Sequence, residues 1–409
     1  MIKNAPNRMG KLYAWLLFLI PVLTQYPVGP LDLDVVLVAV FFLAYILTHR
    51  ILYVNKLNRQ ILLILSYILI ITVINLVIGR KFSPTFDMIV RTTKFCLYLF
   101  VVFFIGNEEV TYESLMRVYR IIAYAATIYV IIQTIAFYGA GITLPNKIGG
   151  SAQSNRVEVG RLRAFYSEPA AMAYATVPFI ICSLFGKKYR EGRLNNLFDA
   201  FFVSVGIVLS TSGQGILAIG VAWAIWVLLR FKDGGFRQAK ELLLLVSVIA
   251  AIVILYKVGI LKFALERATN TGETGTVSAR TSGYATLELL SPLQRIFGAG
   301  YGNYVVENTY GLGVFYDVVN YSSIAQFLFT QGIAGTILWV VFFAYIFYKG
   351  NACTRVLVLV LLFMSVGGCP MLAILCPIWL TLMCIQLPEG EFSRKKDNET
   401  ENDNLYKKP

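Results

Sequence analysis

The sequence predicts an all-α fold: a polytopic integral membrane protein with about twelve transmembrane helices and a large extracytoplasmic loop between spans 9 and 10. Three observations carry that expectation. Of the 409 residues, 57% are hydrophobic and only 14% are charged, against roughly 25% charged in an ordinary soluble domain. Apolar runs long enough to cross a hydrocarbon core of about 30 Å recur along nearly the whole chain, so the bilayer supplies most of the burial. The net charge of +13 sits largely in short clusters between these runs. Membrane proteins keep Lys and Arg there, on the cytoplasmic side, so the charge requires no nucleic-acid partner.

Lys3, Arg8 and Lys11 precede the first apolar run, and no small-residue cleavage site lies ahead of Gln25, Tyr26 and Pro27. That run therefore reads as an uncleaved first span. Further spans are expected near 33–48, 61–78, 88–105, 118–138, 170–185, 197–209, 216–229, 242–261, 323–348, 356–366 and 371–387, after the first at 12–26. An even number of crossings puts both termini on one side. Placing that side in the cytoplasm assigns most of the 36 Lys and Arg residues to inside loops and the tail.

Two pairs of crossings are short, those around STSGQG (210–215) and GGCP (367–370). Over 197–229 and 356–387, full hairpins and re-entrant half-helices both fit. Charge favours hairpins: Arg193 and Arg230 flank the first pair, Arg355 and Arg394 the second, and one long helix would put a basic cluster outside. Only 139–168 and 262–321 are long outside segments. The second opens with a Thr- and Gly-rich piece (269–283), then an apolar TLELL, then Ser291-Pro292, suited to an N-cap and a first helical position. The membrane domain thus spans 1–388, and 389–409 is a polar, charge-rich tail expected to be a disordered cytoplasmic end.

Cys96, Cys182, Cys353, Cys369, Cys376 and Cys384 all lie in or beside apolar runs without metal-ligand spacing, so neither a disulfide framework nor structural zinc is expected. His49 is the sole histidine and lies at the inner end of the second span. No Ser/His/Asp arrangement or histidine metal site can be built for chemistry outside. No metal or cofactor is expected.

Three groups of residues can carry chemistry. Asp87, Arg91 and Lys94 are spaced i, i+4, i+7 and line one helix face near the outer end of the fourth span. Ionisable groups in a span cost roughly 2.5–3.5 kcal/mol on insertion scales unless paired or hydrated. Either Asp87 pairs with Arg91 while Lys94 reaches outward, or the face is a cationic site on a cavity. Arg156, Arg161, Arg163 and Glu168 precede the sixth span. Arginines bind phosphate oxygens bidentately and a carboxylate beside them can accept a proton, although a solvated amphipathic segment would show the same pattern. The third group is Arg280, with Arg267 and Arg295 nearby. Gly298, Gly300 and Gly302 lack a preceding strand and read as a turn, not a nucleotide loop. The tyrosines around them suit an interfacial belt or stacking on sugar rings.

Three stretches then point to a family. RLRAFYSEPAAMA (161–173) is similar to an Arg-then-Glu-Pro element opening a span after an extracytoplasmic loop. SARTSGYATLELLSPLQRIFGAGYGN (278–303) resembles an Arg, helix, Pro, Gly-x-Gly-x-Gly progression. NYSSIAQFLFTQGIAG (320–335) is similar to a polar start followed by an apolar helix with Gly-Ile-x-Gly. Together they resemble the bacterial O-antigen and capsular polysaccharide polymerases of Wzy type, in the O-antigen ligase/polymerase superfamily. Where the ligases typically place a histidine, this chain has Val319 and Asn320, which favours polymerase over ligase. The central hairpin carries TSGQG, with Gln214, where Ser-Arg-Gly is often seen.

The resemblance implies transfer of a growing glycan from undecaprenyl pyrophosphate to another lipid-linked repeat unit, at the outer face of the bacterial cytoplasmic membrane. It implies Glu168, Arg163 and Arg280 as catalytic residues. Arg91, Lys94, Arg161, Arg156, Asn320 and Tyr321 would bind substrate, and a chain-length regulator is a candidate partner beside membrane lipid. A flippase or transporter of lipid-linked oligosaccharide is the rival reading, but transporters show ionisable residues through the depth of several spans, whereas these charges gather at one face.

Overall fold

The computed structural model describes residues 8–28, 31–48, 56–79, 81–103, 110–147, 162–186, 194–232, 257, 283–303, 322–371 and 375–387. Its helices are α1 (Arg8–Leu23), α2 (Leu33–Thr48), α3 (Lys56–Val77), α4 (Thr85–Phe103), α5 (Tyr112–Ala140), α6 (Pro169–Phe185), α7 (Leu194–Leu209), α8 (Gly213–Lys232), α9 (Pro292–Phe297), α10 (Ser323–Lys349), α11 (Ala352–Gly367) and α12 (Cys376–Cys384). A small antiparallel ribbon, β1 (Pro27–Val28) and β2 (Leu31–Asp32), joins α1 to α2.

Among the described residues, α3, α5, α8 and α10 are long and apolar enough to cross a membrane, and α1, α2, α6, α7 and α11 are shorter apolar helices. The expected span at 242–261 lies outside the described residues apart from Lys257. The outward faces are as apolar as the core: Leu43, Leu47, Val73, Val77, Ile78, Leu228 and Val340 are all exposed. Helices that are apolar on both inner and outer faces need hydrocarbon as their solvent, which makes this a membrane-embedded helical protein.

Hydrogen bonds between distant segments sort the helix ends. Gln25, just past α1, donates Nε2 to the Phe165 carbonyl before α6 at 2.7 Å. The Ser323 amide at the start of α10 donates to the Gly368 carbonyl after α11 at 2.7 Å. Asn303 accepts from the Phe82 amide, between α3 and α4, at 2.7 Å. The ends of α1, α3, α5, α7 and α11 therefore share one end of the bundle, here the upper end, with the starts of α2, α4, α6, α8 and α10. At the lower end Arg120 pairs with Asp199 at 2.8 Å, and Asn351, capping α11, reaches the Gln386 carbonyl past α12 at 3.5 Å.

Both short pairs are antiparallel hairpins. Gly215 packs on Ile207, and farther from the turn Trp223 Nε1 donates to Ser204 Oγ at 3.1 Å. The second pair is less regular than expected: of 371–387 only the nine residues of α12 are α-helical. Pro370 and Pro377 explain the short helix, because a proline has no amide to give and is accommodated only in a first turn, where Pro377 sits.

The axis of the bundle is α6, buried along all 17 of its residues. Pro178 inside it withholds the amide that would otherwise reach the Tyr174 carbonyl four residues back. Trp379 of α12 supplies the donor instead, with Nε1 3.0 Å from that carbonyl, and the Tyr119 hydroxyl of α5 donates to the neighbouring Ala175 carbonyl. Carbonyls freed in hydrocarbon must find such partners.

A second break lies in α10, at Gly332, whose φ of 65° and ψ of −171° are non-helical. Here the chain from 291 to 303 enters the bundle. Ser291 caps α9 in a capping box with Gln294, and Pro292 takes the first turn, as the sequence suggests. The helix descends until the Phe297 carbonyl lies 2.9 Å from the Tyr67 hydroxyl, midway along α3. The turn Gly298–Gly302, with positive φ at all three glycines, then carries the chain back up to Asn303. On the way the Ala299 and Gly300 amides donate to the Phe329 and Thr330 carbonyls at 2.9 and 3.0 Å, and Tyr67 also reaches the Gln331 carbonyl at 2.9 Å. The carbonyls around the break in α10 are thus satisfied by the descending segment, as irregular backbone at membrane depth requires.

Candidate functional site

The upper end holds the described residues singled out from the sequence. Arg163 to Glu168 form a loop fixed from three sides. Gln133 of α5 brackets Ala164, accepting from its amide at 2.9 Å and donating to its carbonyl at 3.3 Å. Asn146 donates to Gln25 Oε1 at 2.7 Å and to the Tyr166 carbonyl at 3.1 Å. Gln25 in turn holds the Phe165 carbonyl. These ties keep Ala164 at a φ of 50°, a left-handed conformation uncommon for a residue with a Cβ.

Arg163 is buried, at 9% exposure. Its Nη1 donates to the Ser167 carbonyl at 2.8 Å and its Nη2 to Asn146 Oδ1 at 3.2 Å. The guanidinium therefore braces the loop from within. Tyr166, completely enclosed, has its phenol pushed above the ordinary tyrosine value by burial. Glu168 follows as the N-cap residue of α6, half-buried, with extended backbone (φ −146°, ψ 155°) and Pro169 behind it. Its carboxylate does not cap the α6 amides. It stands at the positive end of the central helix.

Arg91 and Lys94 lie on α4. Lys94 forms an ion pair with Asp32 of the β ribbon and lies 5.9 Å from the centre of the Tyr98 ring. Tyr98 donates to Asp34, which is completely buried in the first turn of α2. Among the described residues Asp87 makes no ion pair with Arg91, so the alternative in which those two neutralise each other does not describe this helix face. Beside Arg91 the Gly302 turn packs so closely that a Cβ there would meet Arg91 Cβ at 3.0 Å and the Met88 carbonyl at 2.8 Å. Tyr301 stacks on Phe95 one turn farther down, with ring centres 4.2 Å apart.

The remaining wall is Gln214, at the start of α8. It accepts from the Tyr174 hydroxyl and donates to the Gly367 carbonyl, so one side chain joins α6, α8 and α11. Arg156, Arg161, Arg280, Asn320 and Tyr321 lie outside the described residues. Among the described residues no group of three or more His, Cys, Asp or Glu side chains could hold a metal ion.

Sequence reasoning passed over Asp32 and Asp34. Their signal is the LDLD at 31–34, two carboxylates at the mouth of an apolar span, which insertion cost alone marks as residues requiring partners. It also passed over Gln133 and Asn146, single polar residues whose importance depends on a loop outside their own segments. No known family model matches the chain, and no curated protein matches it.

Proposed function

We propose that the chain is a glycan polymerase of the bacterial cytoplasmic membrane. It would extend oligosaccharide repeat units carried on undecaprenyl pyrophosphate, with both termini in the cytoplasm and the upper end outside. The observation that supports this reading is the convergence of the three family-like stretches: the loop before α6 and the start of α10 lie at the upper end, and the chain after α9 returns there at Asn303 from its turn at Gly298–Gly302. A carboxylate stands there on a loop held by Gln133, Asn146 and Gln25, while Arg91 lies on α4 beside the glycine turn.

In this reading a hydroxyl of the acceptor sugar attacks the anomeric carbon of the donor glycan. Its proton passes to the Glu168 carboxylate, the new glycosidic bond forms, and the bond from the anomeric carbon to the pyrophosphate breaks. Arg91, with Arg280 and Arg161 from the segments not described, would neutralise the departing pyrophosphate, since fixed cations stabilise charge as it develops. Arg163 acts one step back, by bracing the loop that presents Glu168. Lys94, held by Asp32, anchors the ribbon to α4.

The test is reconstitution of the purified protein with a lipid-linked repeat unit and analysis of glycan length on the carrier. The proposal expects a ladder of longer chains on the same carrier lipid. Transport of the substrate across the vesicle without any lengthening would support the transporter reading and overturn this one.

A further inference from the structure

Beside the start of the glycine turn a cleft of about 690 Å³ runs between α3 and α9. Ile71, Ile74 and Ile78 form one wall and Leu290, Leu293 and Phe297 the other. The cleft follows α9 inward, and Phe297 at its foot is tied to Tyr67 midway along α3. It therefore lies within the depth of a helix long and apolar enough to cross the membrane. Its mouth is flanked by exposed Ile74 and Ile78 on one side and by exposed Leu293 and Phe297 on the other, so what enters comes from the lipid phase.

The polar groups in the cleft are already engaged. Asn75 donates Nδ2 to the Ile71 and Gly298 carbonyls at 2.9 and 3.1 Å, and accepts from Gln294 Nε2 at 2.9 Å. Ser291 Oγ accepts from the Gln294 amide at 3.3 Å. An occupant seeking hydrogen bonds would have to break this latch, whereas a hydrocarbon chain needs none. The foot of the cleft is Gly298, and the turn that starts there ends at Gly302 against Arg91. Arg295, on the same short helix, donates Nε to the Leu290 carbonyl at 3.2 Å, which fixes a cation beside the Leu290 end of the cleft.

We infer that the α3–α9 cleft receives the isoprenoid chain of the lipid-linked substrate, with the pyrophosphate directed to the upper end, where the glycine turn closes at Gly302 against Arg91. The inference rests on the polymerase reading for the identity of the lipid. The apolar walls specify a chain, the lipid-facing mouth specifies its source, and the arginines on either side of the turn specify an anionic head.

The experiment uses the full chain in proteoliposomes and has two arms. In the first, undecaprenyl pyrophosphate oligosaccharide bearing a diazirine on its isoprenoid chain is photolysed and the adducts are mapped. Adducts within 71–78 and 289–298 that unlabelled undecaprenyl phosphate displaces are expected. Equal labelling of these segments by phosphatidylglycerol with a diazirine acyl chain, or adducts only elsewhere, would overturn the inference. In the second arm, Ile74→Trp and Leu293→Trp narrow the cleft with apolar side chains. The ratio of kcat/KM for a long-chain donor to that for a two-isoprene donor should fall by about tenfold in each; an unchanged ratio would overturn it. If no donor is elongated by the wild-type protein, the polymerase reading fails, while the adduct map still decides the cleft.

Discussion

Replacing Gly332 with alanine should cost more stability than any other single-methyl addition in the described part of α10. The conformation at Gly332, φ 65° and ψ −171°, belongs to a region that is essentially reserved for glycine, and holding another residue there costs on the order of 1–3 kcal/mol. There is also no room: the added Cβ would run into the Gly298 amide nitrogen and the Ile296 carbonyl, both backbone atoms. The relief available is to restore regular helix at 332 and expel the Gly298–Gly302 turn. That step removes the acceptors of the Ala299 and Gly300 amides, and each buried unsatisfied group costs about 1–3 kcal/mol. The combined loss is several kcal/mol. Thermal unfolding in detergent should show it as a fall in Tm of several degrees, since the shift per kcal/mol is about 2–4 °C at 150–250 residues and smaller in a longer chain. Gly220→Ala is the control, since a Cβ there meets nothing within 4 Å and alanine is the better helix former by about 0.8–1 kcal/mol. A Gly332→Ala protein melting with the Gly220→Ala protein would refute the interlock between α9 and α10.

Three further predictions follow from the same geometry. Trp379→Phe removes the ring donor opposite Pro178 and leaves the Tyr174 carbonyl unsatisfied in the core, so thermal stability should drop by about 1–3 kcal/mol; no change would mean that another donor serves that carbonyl. Glu168→Gln should lower elongation by about 10²–10⁴-fold, the usual contribution of a general base, at unchanged Tm, whereas Arg163→Met, which releases the Ser167 carbonyl and Asn146, should lower Tm and elongation together. Identical profiles for the two would contradict their separate roles. Asp199→Ala removes both the pair with Arg120 and the acceptor of the Tyr124 hydroxyl at the lower end, and because Asp199 is itself buried stability should fall by about 1–3 kcal/mol with elongation retained.

The sequence makes the helices legible because apolar runs are local, and the bias of basic residues toward one side makes the direction of both short hairpins legible as well. Ser291 and Pro292 announce α9 through capping chemistry confined to four residues. The descent of 291–303 is not legible in the same way. It depends on Tyr67, Phe329 and Thr330, which meet it only after α3 and α10 are assembled, and an apolar PLQRIF after a flexible stretch reads equally well as part of an outside loop. The same limit applies to Lys94. Its spacing to Arg91 and Asp87 is visible on one helix, but its partner Asp32 comes from a ribbon that the helical period cannot anticipate. Glu168 could be singled out because Pro169 and an apolar run follow it; the Gln133, Asn146 and Gln25 ties that fix its loop come from three separate segments.

The central claim is that the upper end elongates lipid-linked glycans. The most direct measurement presents a membrane-impermeant, short-chain pyrophosphate-linked repeat unit to one face at a time of proteoliposomes with uniformly oriented protein. The account predicts longer glycans only when donor and acceptor are supplied on the face carrying Glu168, and none from the face carrying Arg120 and Asp199. Elongation from the opposite face, or from neither while the wild-type protein remains folded, would contradict it.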